Sequence, residues 1–131
     1  MTAAERASGL AAAARTRREG LLALAGVVAG QAPVRVLEAP AARVVAVRLG
    51  TGAGELPLVD AVVTTAAVQV GGDRGWACVL GWDDRAVLAA AICDARPGDA
   101  VTDLARGALA DERERAAAAD AEVAATRVSP G

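Results

Sequence analysis

Hydrophobic positions along this chain change their period twice. Between residues 3 and 29, Leu21, Leu22, Leu24, Ala25 and Val28 recur at spacings of three and four, which predicts helix. The charges Arg15, Arg17, Arg18 and Glu19 cluster within it, so a break is expected near Thr16, and Gly30 suits a C-cap. After Pro33 the period drops to two. Val34, Val36 and Leu37 predict a short strand, and Ala39-Pro40-Ala41 a turn, because Pro40 holds its predecessor extended. Residues 43–49 predict a second strand, with Val44, Ala46 and Arg48 alternating against Val45, Val47 and Leu49. Gly50-Thr51-Gly52-Ala53-Gly54 reads as a loop and Glu55-Leu56-Pro57-Leu58 as an irregular connector. Residues 60–70 predict the longest strand, Gly71-Gly72-Asp73 a hairpin turn, and residues 74–80 an antiparallel return.

Past Gly81 the helical period resumes. Asp83 or Asp84 can cap a helix whose core positions are Val87, Leu88, Ala91 and Ile92, and Arg96-Pro97-Gly98 stops it. Asp99 can cap the next, where Val101, Leu104, Ala105, Ala108 and Leu109 form an amphipathic stripe. Beyond Ala110 the segment DERERAAAADAEVAATRV predicts a polar, alanine-rich helix held by pairs such as Asp111 with Arg115. With so few apolar anchors it either frays or packs on another subunit. The expected fold is α+β in one domain, 1–131: N-terminal helices (1–30), a four-stranded antiparallel meander (34–80), and C-terminal helices (83–128) on one face.

Composition narrows the function. A net charge of −2 gives no basic field for nucleic acid or an anionic membrane. No stretch approaches the roughly 20 apolar residues of a membrane span, and the N-terminus lacks a continuous apolar run, so a cytoplasmic protein is expected. All 14 basic residues are Arg. Phe and Tyr are absent and much of the apolar content is Ala. Alanine buries little area at about 25 cal/mol per Å², so the expected core is thin and gains stability from a partner. Trp76 and Trp82 are expected as core or interface anchors. Cys78 and Cys93 are too few and wrongly spaced for zinc, and are expected inside elements as small hydrophobes.

The candidate chemistry is sparse. Gly50-x-Gly52-x-Gly54 invites a phosphate cradle, but a strand rather than a helix is expected after it, and Gly-Lys-Ser/Thr is missing. Asp83, Asp84 and Arg85 form a charged group that serves either a site or helix capping. Thr64 and Thr65 sit where β-branched residues are expected in any case. The chain has no histidine, the commonest general base, and no nucleophile, base and orienter combination. Autonomous catalysis is not expected, and no residue is assigned to catalysis or a metal.

Several strings in this order resemble the G subunit of the bacterial carbon–phosphorus lyase system (the PhnG family). They are Arg48-Leu49-Gly50-Thr51-Gly52, Asp60-Ala61-Val62-Val63-Thr64, Ala67-Val68, and Gly75 followed by Val79-Leu80-Gly81 and Asp83. Near the C-terminus, Ala121-Glu122-Val123-Ala124-Ala125-Thr126-Arg127-Val128 is similar to the family's AEVxASRV. Thr65 and Trp82 stand where the family carries arginine, and Ala86 where it carries histidine. The resemblance implies an accessory or scaffolding subunit in phosphonate use, partnered chiefly by the I subunit and also by H, J and L. With H, I and L it would support displacement of adenine from ATP by a phosphonate, giving a ribose 1-phosphonate 5-triphosphate. ATP is then used by the complex, and no cofactor is bound by this chain alone. The candidate ligand contacts are Arg48, Gly50, Thr51, Gly52, Thr64, Asp83 and Arg85, and the candidate partner contacts Trp76, Trp82, Glu122, Val123 and Arg127. The competing expectations are a small phosphate- or nucleotide-binding domain and a self-assembling structural protein.

Overall fold

Two helices, α1 (Ala3–Thr16) and α2 (Arg18–Ala29), precede three strands, β1 (Val34–Arg48), β2 (Leu58–Val70) and β3 (Asp73–Leu80). Helices α3 (Asp84–Ala95) and α4 (Asp99–Val128) follow. The structure is a computed structural model that describes residues 1–48 and 58–128, with side chains described for 1–46 and 59–121. The strands form an antiparallel meander in the order β1-β2-β3. The class is the expected α+β, with the helices packed against the sheet.

The sheet has three strands where four were expected. Residues 34–37 and 43–48 belong to one strand, and Pro40 lies within it instead of in a turn. Register shifts between Val36 and Glu38, and between Glu38 and Ala41, absorb the proline. These irregularities sit on an edge strand, where a missing N–H need not break a ladder bond. With 15 residues β1 is therefore the longest strand, ahead of β2 with 13. At the β2–β3 turn only Gly71 and Gly72 are free, because Asp73 already pairs with Val70. Gly71 takes φ +59, which a two-residue hairpin of this kind requires.

Strand alternation decides which face is covered. Thr64, Ala66, Val68 and Val70 of β2, with Ala77 and Val79 of β3, are buried against the helices. Helix α3 is the centrepiece, burying Ala86, Val87, Ala89, Ala90, Ala91, Cys93 and Ala95. Over half of the buried apolar residues are alanine, so backbones approach closely. Gly75 shows how closely: a Cβ there would collide with the Ala91 carbonyl oxygen and lie 2.6 Å from the Ala95 nitrogen. No aromatic ring enters this core: Trp76 is 48% exposed and Trp82 78%.

The helical corner forms as expected at the charged run. Thr2 caps α1 by accepting from the Glu5 N–H at 3.1 Å, and Arg17 leaves helical geometry between α1 and α2. Asp99 is the first residue of α4 instead of its cap, since the Gly98 carbonyl accepts from the Thr102 N–H. Asp111 binds Arg17 at 2.7 Å across the fold; the expected partner, Arg115, makes no ion pair with it. Arg15 binds the neighbouring Glu112. These two pairs clamp α4 to the α1–α2 corner, and residues 113–121 beyond it are exposed. Among the described residues no helix is long and apolar enough to cross a membrane.

Candidate functional site

Thr64, Gly81 and Asp83 converge where β3 hands over to α3. Gly81 turns the chain with φ +81, a backbone conformation that glycine adopts freely. The Thr64 hydroxyl, on the covered face of β2, donates to the Gly81 carbonyl at 2.6 Å and accepts from the Asp83 N–H at 3.3 Å. Asp83 in turn caps α3, accepting from the Ala86 N–H at 3.1 Å. Both of its carboxylate oxygens also take Arg18 of α2, at 2.9 and 3.1 Å. Hydrogen bonding to the Arg18 guanidinium holds the Asp83 carboxyl below the usual carboxylate range, with the Ala86 N–H and the Arg85 charge adding to it. Every polar group at this junction is engaged by another, so it works as a joint between sheet and helices.

A second joint closes the free edge of β3. Asp94 of α3 accepts from Arg6 of α1 at 3.0 Å and from the Trp76 N–H at 3.0 Å. One carboxylate thus ties two helices to an edge amide of the sheet. The indole of Trp76 itself lies on the opposite face, paired across the ladder with Ala67 and, beyond it, Glu38.

Among the described residues that opposite face carries no helix across its width; only Ala7, Ser8 and Ala11 of α1 reach its β3 edge, where they share a small pocket with Trp76 and Cys78. Cross-strand pairing places Arg35, Gln69 and Arg74 in one row, then Glu38, Ala67 and Trp76, then Ala41, Thr65 and Cys78, then Arg43, Val63 and Leu80. Val45 pairs with Ala61 farther out, where the ladder has lost β3 and continues as a two-stranded ribbon. Leu80 is 52% exposed, and Val45 and Val59 are exposed too. On the ribbon's other side Val44 and Val62 are also exposed, Val44 at 68%. The ribbon therefore exposes valines on both faces, with Asp60 beside Val62 on the second. A depression of about 390 Å³ opens beside Trp76, lined by Leu37, Glu38, Ala67, Arg74, Gly75 and Asp94. The Arg43 guanidinium donates to the Thr65 hydroxyl at 3.2 Å.

Of the candidate ligand contacts, the structure brings Thr64 and Asp83 together and uses both internally. Arg85, the second residue of α3, lines the groove between α2 and α3 instead. Arg48 ends β1 with its side chain outside the described residues, and Gly50, Thr51 and Gly52 lie outside them altogether. Leu58 belongs to β2, so a strand follows that loop. Of the candidate partner contacts, Trp76 lies on the open face and Trp82 stands clear at the β3–α3 connection. Glu122, Val123 and Arg127 lie on α4, with side chains outside the described residues. Sequence reading missed Arg35, Arg43, Arg74 and Leu80 as a group. Their period-two spacing was visible, but the pairing that sets them on one face was not. No group of three or more His, Cys, Asp or Glu among the described residues could hold a metal ion.

No protein-family model matches this chain, and no curated protein does.

Proposed function

We propose that this protein is an accessory, scaffolding subunit of a carbon–phosphorus lyase-type complex that processes organic phosphonates. In this reading the complex transfers the ribose-triphosphate part of ATP to a phosphonate oxygen, and adenine leaves as the glycosidic bond breaks. The chain contributes surface and shape, and the reacting groups belong to other subunits. The ordered PhnG-like strings from residue 48 to 128 support this role. The observation that carries the accessory character is the uncovered sheet face and its ribbon, where Trp76, Leu80, Val44, Val45 and Val62 stay exposed beside arginines, apolar surface that a self-sufficient domain would cover. The chain also lacks histidine, and the most connected polar group, at Thr64 and Asp83, is consumed in holding the fold.

Reconstitution tests the proposal. H, I and L subunits from the same host are mixed with ATP and methylphosphonate, and adenine release is measured with and without this chain. Release that requires the chain, with none from the chain alone, is expected. Equal release in its absence would overturn the reading.

A further inference from the structure

The open sheet face holds more basic than acidic side chains in its rows. It carries Arg35, Arg43 and Arg74 against Glu38, on a chain whose net charge is −2. Like Arg85, Arg106, Arg113 and Arg115, these three arginines make no ion pair among the described residues, and Arg43 donates to the Thr65 hydroxyl instead. The charges are also placed unevenly. Arg35 and Arg74 flank the β2–β3 hairpin end, while Leu80 and Val45 expose apolar surface at the other end beside Arg43, whose guanidinium is engaged by the Thr65 hydroxyl.

We propose that this face docks a different protein, whose contact surface is apolar opposite Leu80 and the β1–β2 ribbon and acidic opposite Arg35 and Arg74. The proposal rests on the subunit reading above and specifies which face that complex uses. Charge complementarity selects the occupant: a second copy laid face to face, in either orientation, offers only Glu38 in its rows to Arg35, Arg43 and Arg74, so its arginines would be covered without partners, which suppresses pairing. Apolar anchoring beside a pocket is the usual form of an interface hot spot, and the half-exposed Trp76 beside its depression provides one. Enclosure of the ribbon on both faces would also cover Val44 and Val62, which the chain leaves bare.

The test co-expresses the full chain with the H, I and J subunits of its host and follows assembly by size-exclusion chromatography. Variants Leu80→Asp and the double reversal Arg35→Glu/Arg74→Glu change the face. Val27→Asp, on an exposed position of α2, is the control. Thermal melts of each free variant establish folding, and the two exposed arginines keep the test valid should Leu80→Asp fold poorly. Assembly by wild type and Val27→Asp, with at least ~10-fold weaker assembly by the face variants, is expected. Unchanged assembly by the face variants overturns the face proposal alone. No assembly by the wild type overturns the subunit reading, and this proposal with it. Light scattering on the free chain adds one arm: a monomer is expected, and a dimer that Leu80→Asp dissolves would assign the face to a second copy and overturn the proposal.

Discussion

Thr64 is a buried hydroxyl whose donor and acceptor are both used, one on the Gly81 carbonyl and one by the Asp83 N–H. Removing it leaves two backbone groups unpaired. Thr64→Val is therefore expected to cost about 1–3 kcal/mol in urea unfolding, with Thr64→Ser retaining most of that. Asp83→Ala is expected to cost about 1 kcal/mol through the lost cap alone. The charge on Asp83 adds a pH signature. Its carboxyl is held below its ordinary value of 3.8, so its contribution is complete above that value and lost as pH falls through the lower, folded-state value. The stability gap between wild type and Asp83→Asn is thus expected to be constant near neutrality and to close in the acid limb. A gap that widens on acidification would contradict the Arg18 pairing. A cap at Asp83 or Asp84 was legible in the sequence, since aspartates precede a helical run, and the structure uses Asp83. Its pairing with Arg18, 65 residues away in sequence, had no local signal.

At the scale of elements, close backbone approach sets the tolerance of the fold. Gly75 has no room for a methyl group, because the atoms it would strike are backbone atoms of α3. Gly75→Ala is expected to cost about 3 kcal/mol, the upper part of the usual overpacking range. Gly72→Ala, with nothing within 4 Å of an added Cβ, is expected to be nearly neutral. Equal melting temperatures for the two variants would contradict the packing of β3 on α3. Helix positions and the hairpin glycines were readable from periodicity and turn chemistry. The strand count was not, because Pro40 breaks a pattern locally without breaking the strand. Edge position is a property of the sheet, and the sequence of one strand does not carry it. Strands over residues 60–70 and 74–80 were equally readable, yet assigning Arg43, Thr65 and Leu80 to one open face required the register.

At the scale of the whole molecule, the described helices cover one side of the sheet. Helix α3 is buried nearly all round, and burial pushes the Cys93 thiol up to about 12. Cys78, on the open face, is also raised by burial but remains partly accessible. Alkylation of the native free chain is expected to modify Cys78 slowly and Cys93 only on global unfolding; prompt labelling of Cys93 would contradict a closed core. In an assembled complex Cys78 is expected to lose its residual reactivity as the face is covered. The thin, alanine-rich core and the exposed stretch of α4 were legible from composition, and both fit a chain completed by others. The most direct test is affinity purification of the tagged protein from its own host grown on a phosphonate as sole phosphorus source, with co-eluting chains identified by mass spectrometry. Recovery of the H, I and J subunits in fixed ratio is the predicted result; recovery of the protein alone, well folded and monomeric, would contradict its role as a complex subunit.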